Sequence, residues 1–83
     1  MSITKISIFI QIMKIKGTVK HQSLSGGFWG IIDADGNKWK PQEMPKALQK
    51  EGLKVEIEAE KAAGGISIFM WGTTIKISGF NIL

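Results

Sequence analysis

Residues 28–41 have the sequence FWGIIDADGNKWKP, and this stretch decides the fold. Aromatic and β-branched residues at its start favour a strand. The dipeptide Asp35-Gly36 is a strong hairpin signal, because glycine takes a positive φ without steric cost. Pro41 ends the strand that follows this turn, because proline has no N–H for a sheet ladder. We therefore predict two strands, Phe28–Asp33 and Lys38–Lys40, joined by a tight turn.

Upstream of this hairpin, the chain alternates with a period of two. Ile15, Gly17 and Val19 share one face, and lysines and Thr18 occupy the other. This alternation predicts a first strand with one buried face. The composition of residues 23–27, SLSGG, predicts the turn that leads into the second strand.

Downstream, one short helix and two further strands are predicted. Residues 45–51 begin with a proline suited to a first helical turn. Gly52 follows at the predicted C-terminus of the helix, where glycine commonly adopts a left-handed conformation. Residues 53–60, LKVEIEAE, alternate strictly between apolar and charged side chains. A flexible loop is predicted at 62–65, and residues 66–77 are expected to form one long strand, broken or bulged at Gly72, which residues 78–83 finish.

The predicted order is three strands, a helix and two strands, within a chain of 83 residues that allows a single domain. This is the order of the OB-fold, so we predict an all-β fold, a five-stranded Greek-key barrel. The first and fourth strands are neighbours in such a barrel. We therefore expect Lys14, Lys16 and Lys20 to lie beside Glu56, Glu58 and Glu60 and to help fix the strand register.

The N-terminal residues 1–12 are rich in isoleucine but do not form an export signal. Lys5, Ser7 and Gln11 interrupt the apolar run, which is also too short to span a bilayer. We predict that residues 1–12 are an extra strand or an extension of a barrel domain formed by residues 13–83. The absence of a signal predicts a cytoplasmic protein without membrane contact.

Five segments of the chain occur together in a recognisable order. They are GGFWGII (26–32), DGNKWKP (35–41), MP (44–45), EGLKV (51–55) and MWGT (70–73). The combined pattern resembles a group of small, uncharacterised OB-like barrel proteins of archaea and bacteria. The resemblance covers residues 13–77 and implies the same barrel. It implies no activity, and it gives no residue a catalytic role.

The residues available for catalysis or metal binding are few. The chain has no cysteine, no arginine and one histidine, and its 11 lysines against 7 acids give a net charge of +4. A triad of His21, Ser23 and Asp33 lacks a nucleophile elbow, and His21 is expected at the barrel rim, bonded to backbone. Residues 33–37 lack the distal glutamate of a calcium loop. We predict no enzyme activity, no metal and no cofactor.

The aromatic residues offer the best candidates for a binding site. Phe28 and Trp29 lie on the second strand, Trp39 with Lys38 and Lys40 on the third, and Trp71 on the fifth. Two interpretations remain open for them: core packing, and a ligand surface built from the outward members.

Three functions follow from a ligand surface or an extra strand. The first is binding of a protein or small ligand at a rim patch that exposes at least one tryptophan. The second is weak binding of single-stranded nucleic acid through Trp29 or Trp39 with Lys38, Lys40 and Lys76; the lack of arginine makes it less favoured. The third is self-association through the N-terminal strand.

Overall fold

The computed structural model describes residues 12–24, 26–62 and 71–83. They form five strands that close a barrel in the order β1-β2-β3-β5-β4. The strands are β1 (Met13–Gln22), β2 (Phe28–Asp33), β3 (Lys38–Pro41), β4 (Lys54–Lys61) and β5 (Thr73–Ile82). All neighbouring pairs are antiparallel except β3 and β5, which run parallel. The predicted all-β, OB-like barrel is therefore confirmed.

The first four strands lie where the alternation predicts them, within two residues at each end. The fifth differs, because β5 begins at Thr73, after Gly72 with its φ of 69°. Trp71 thus precedes β5, and its expected place on the fifth strand is wrong. The predicted strand residues 66–70 and the predicted extension 1–11 lie outside the described residues.

The predicted seven-residue helix is wrong in length and type. Only Lys46–Leu48 are helical, in a single 3₁₀ turn. Leu48 is fully buried under the barrel, and the Gln49 side chain donates a hydrogen bond to the Met44 carbonyl. Gly52 has the expected positive φ of 80°, but its N–H donates to Val19 of β1. The chain must leave the helix early to make this sheet contact.

Within the described residues, no helix has the length and apolarity needed to cross a bilayer.

The barrel interior is filled by the apolar face of each strand. The fully buried strand residues are Val19, Ile31, Val55, Ile57, Ala59 and Ile75. Met44, which precedes the 3₁₀ helix, and Leu48, the last residue of that helix, belong to the same core cluster. Burying one such aliphatic side chain contributes about 1.5–3 kcal/mol, so this face supplies much of the folding free energy. The alternation LKVEIEAE therefore predicted the core of β4 correctly.

The charged outer faces of β1 and β4 meet largely as predicted. Lys14 is the register partner of Glu58, and Lys16 is the partner of Glu56. The predicted place of Lys20 is wrong, because β1 pairs with β4 only up to Thr18. Lys20 instead forms an ion pair with Glu51, with 3.7 Å between Nζ and Oε2. Glu60 lies opposite Lys76 of β5.

Candidate functional site

The two aromatic residues at the start of β2 have separate roles. Strand alternation puts them on opposite faces, as the sequence predicts. Trp29 packs against the barrel core, and its ring contacts His21 edge-on, with 4.9 Å between ring centroids. His21 is exposed at the rim, where its ring contacts an indole and its backbone N–H donates to Glu51. We expected the His21 side chain to form a hydrogen bond with the backbone; in the structure its ring contacts the Trp29 indole instead.

Trp39 is half-buried and is hydrogen-bonded to the hairpin turn. It packs against the core, and its Nε1 donates to Asp33 Oδ2 at 3.0 Å. The other oxygen, Asp33 Oδ1, accepts the backbone N–H groups of Asp35 and Asn37, both at 2.9 Å. The hydrogen bond from the Trp39 indole is the largest influence and lowers the pKa of Asp33 below its ordinary value of 3.8. Desolvation opposes it, and the bonds from Asn37 and Asp35 add to the lowering. Residues 33–37 therefore form a hairpin turn in which Asp33 organises the donors.

Phe28 and Trp71 meet on the outer face of β2, and we call them, with Lys38 and Lys40, the outer aromatic cluster. The two rings form an edge-to-face pair with 5.2 Å between centroids. Lys38 Nζ lies 5.6 Å from the Trp71 ring, and Lys40 Nζ lies 5.2 Å from the Phe28 ring. Cations over aromatic faces attract the ring quadrupole. Lysine side chains therefore already lie over both rings of this cluster.

The three tryptophans differ in how much of each side chain is accessible. Trp71 is 9% exposed, and Trp29 and Trp39 are half-buried. The exposed large apolar residues in the described parts of the chain are Ile12, Leu24, Phe80, Ile82 and Leu83. No tryptophan is among them. Trp29 and Trp39 pack partly against the core, and Trp71 packs against Phe28 on the outer face.

A groove of about 700 Å³ opens in the barrel wall beside β2, and we call it the side groove. It is lined by Phe28 and Trp29, by residues 40–46, by Gln49, and by Lys76 and Ile77 of β5. Lys40, Lys46 and Lys76 supply positive charge, and Glu43 is its one acidic lining residue among those the structure describes. The groove thus combines aromatic and aliphatic surface with a net positive charge.

The structure brings only some of the predicted site residues together. Phe28, Trp29 and Lys40 line the side groove, while Lys38, Trp39 and Trp71 lie outside its lining. Sequence reasoning missed Met44, Lys46 and Ile77 as groove residues. The unequal lengths of β3 and β5 could have indicated them. Because β3 has four residues and β5 has ten, β5 extends beyond Pro41 without β3 beside it.

The side chains of Asp33 and His21 make contacts within the fold. Both oxygens of Asp33 accept hydrogen bonds from its own hairpin and from Trp39, and His21 contacts Trp29. In residues 12–24, 26–62 and 71–83, no group of three or more histidine, aspartate or glutamate side chains could hold a metal ion.

Comparison of the chain with family models, with curated proteins and with solved structures gave no match.

Proposed function

We propose that this protein is a non-enzymatic binding module that takes its ligand in the side groove. The ligand is a protein segment or a small molecule that carries negative charge and an apolar part. The observation that carries the proposal is the placement of Lys40, Lys46 and Lys76 around a groove walled by Phe28 and Trp29.

The dimensions and the chemistry of the groove support this function. Ligand sites in proteins commonly measure about 300–1,000 Å³ and combine apolar walls with a few polar groups that fix orientation. OB-folds bind their ligands on the face of the second and third strands, and the side groove begins at β2 and at the end of β3. Three lysines against one glutamate favour an anionic group at the rim.

The proposal is tested by NMR on ¹⁵N-labelled protein titrated with 4-phenylbutyrate, a carboxylate with an apolar ring, and with a set of acidic metabolites. We expect shifts of the Trp29 indole and of the amides of residues 42–46 and 76–77. The Trp39 indole is the internal reference, because it is held by Asp33 away from the groove lining. Titrations that leave the groove amides unmoved would contradict the proposed function.

Lys46→Glu and Lys50→Glu form a matched pair of variants for the same titration. Both reverse one exposed lysine, so the net charge changes equally, but only Lys46 lines the groove. We expect Lys46→Glu to weaken binding of a ligand that shifts the groove amides and Lys50→Glu to leave it unchanged. Equal effects would indicate that the whole protein's charge, and not the groove, attracts the anion.

Single-stranded nucleic acid is the second candidate, favoured by the outer aromatic cluster. Phe28 and Trp71 lie on the β2 face with Lys38 and Lys40, which is the combination of rings and cations that a strand of bases and phosphates requires. The lysines lie over the rings, so a stacked base must first displace them. We therefore expect weaker binding than at an open platform.

Fluorescence anisotropy with a labelled oligothymidylate tests this candidate. Binding through the cluster shifts the Trp71 indole, whereas a groove ligand shifts the Trp29 indole. The affinity should fall steeply with salt, because phosphate contacts release counterions. The absence of any anisotropy change at low salt would exclude the nucleic-acid function.

A further inference from the structure

The short strand β3 pairs with only the first part of β5. On its β3 side, β5 pairs from Thr73 to Ile75, next to Trp39–Pro41. Beyond that point β5 continues to Ile82, and among the described residues its only sheet partner there is β4. The side groove lies there, with Lys76 and Ile77 of β5 in its lining. Within residues 12–24, 26–62 and 71–83, the edge of β5 next to the groove therefore has no sheet partner beyond Ile75.

The backbone groups of this edge point away from β4. The N–H of Leu83 donates to the Lys54 carbonyl of the β4 side at 2.9 Å. Because backbone groups alternate in direction along a strand, those of Phe80 and Ile82 are directed to the opposite side. The same edge already accepts a hydrogen bond upstream, where the Gln42 N–H donates to the Ile75 carbonyl at 2.8 Å. The edge is thus competent for sheet pairing.

The side chains along this edge are apolar and exposed. Phe80 is 40% exposed and Ile82 is 53% exposed, although their register partners on β4, Ile57 and Val55, are fully buried. Residues 78–82, SGFNI, contain no charge and no proline. Natural edge strands are commonly protected from further pairing by charged residues or proline. A partner strand at this position would cover both apolar side chains.

We propose that the β5 edge from Ile77 to Ile82 binds an extended polypeptide segment, added as a further strand, in which apolar residues alternate with acidic ones. This inference rests on the proposed function and specifies its ligand. The apolar side chains would cover Ile77, Phe80 and Ile82, and the acidic ones would meet Lys46 and Lys76 at the groove rim. Strand addition of this kind takes its affinity from backbone hydrogen bonds and its specificity from alternate side chains.

The chain itself contains a strand with the proposed pattern. On its other edge, β5 pairs with β4, whose residues 55–60 have the sequence VEIEAE. A strand that alternates apolar and acidic side chains therefore already fits β5 on one side. A nucleic acid offers no regular row of N–H and C=O groups for the edge next to the groove, so a polypeptide is the occupant that uses it.

The test uses the full chain and a blocked heptapeptide with glutamate at its odd positions and valine or isoleucine at its even positions. A peptide with lysine in place of glutamate is the charge control. In ¹⁵N spectra we expect shifts and slowed amide exchange at Phe80 and Ile82, and shifts at Lys76 and Ile77. The lysine peptide should leave these signals in place.

Phe80→Pro and Phe80→Val form the decisive pair of variants. Proline removes the N–H that points away from β4, whereas valine keeps it together with an apolar, strand-favouring side chain. We expect Phe80→Pro to weaken peptide binding at least about tenfold and Phe80→Val by less than about threefold, because strand addition depends on backbone hydrogen bonds. Circular dichroism checks that both variants remain folded. The Lys46→Glu and Lys50→Glu pair tests peptide binding without a change in β5. We expect Lys46→Glu to weaken peptide binding and Lys50→Glu to leave it unchanged.

The outcomes separate this inference from the proposed function. If 4-phenylbutyrate shifts the groove amides and the peptide leaves residues 77–82 unmoved, the strand-addition inference is overturned and the proposed function stands. Peptide shifts confined to Phe28 and Trp71 also overturn it, as does an oligonucleotide that shifts the β5 edge more than the peptide does. If neither probe moves the groove or the edge, both proposals fail.

Discussion

The indole of Trp71 lies directly against Gly30 of β2. A Cβ atom built at Gly30 would be 2.6 Å from the Cζ3 atom of Trp71, which is closer than carbon atoms can approach. Trp71 is buried by this contact and by the ring of Phe28, although it lies outside the cluster of residues that fills the barrel. A glycine in a strand often marks such a close approach.

Gly30→Ala should therefore displace Trp71 from the outer face of β2. We expect a loss of about 1–3 kcal/mol of unfolding free energy, the usual cost of overpacking, together with a red shift of the tryptophan emission and a moved Trp71 indole signal. Gly79→Ala is the control, because its Cβ would meet only the end of the flexible Glu58 side chain at 3.2 Å. An unmoved Trp71 indole in Gly30→Ala would contradict this packing.

The carboxylate of Asp33 should make the stability of the hairpin depend on pH. Because the bond from Trp39 and the turn N–H groups lower the pKa of Asp33, its folded value lies below the unfolded value of 3.8. Its contribution is therefore present above 3.8 and is lost as the pH falls through the folded value. We expect the melting temperature to fall and the Trp39 indole signal to move over this acidic range.

Asp33→Asn tests the origin of that pH dependence. The amide places an N–H group where a carboxylate oxygen accepted a hydrogen bond, so we expect a lower melting temperature at neutral pH and a weaker decline in acid. A variant with the same acid profile as the natural chain would show that another carboxyl group is responsible.

Charge reversal on β4 should weaken the pairing of β1 and β4. Glu56→Lys puts two lysines opposite each other at Lys16, which should cost roughly 0.2–1 kcal/mol of unfolding free energy. Adding Lys16→Glu restores opposite charges and should recover most of the loss. Glu43→Lys changes the net charge equally but lies outside the five strands. Thermal melts at low and high salt measure the effect, and the absence of recovery in the double variant would argue against the coupling.

A chain that begins at Met13 should fold by itself. The described residues from β1 to β5 close the barrel through five strand pairs, so we expect a cooperative thermal transition for residues 13–83. A chain of this length that fails to fold would contradict the predicted domain boundary. Light scattering of the full and shortened chains also tests self-association through the N-terminal strand. If that strand mediates self-association, the full chain forms a species larger than a monomer and residues 13–83 do not.

Local patterns were sufficient to predict most of the strands. The alternation of Val55, Ile57 and Ala59 with glutamates requires a strand with one buried face, and Asp35-Gly36 requires a turn at that place. Both signals act over a few residues, and the order of the elements then limits the barrel topology. The helix was predicted less well, because the propensity of residues 46–51 competes with burial of Leu48 and with the contact of Gly52 to Val19.

The amino-acid sequence by itself determined the first four strands, the hairpin turn and the opposition of Lys14 and Lys16 to glutamates of β4, since each depends on spacing along one segment or on neighbouring strands. Only the tertiary structure decided which aromatic residues face outward, that Trp71 lies on Gly30, and that Lys46 and Lys76 share a groove with Trp29. Those relationships depend on where strands of unequal length end relative to one another in three dimensions. Strand ends and register are set by the packing of the closed barrel, which no single segment encodes.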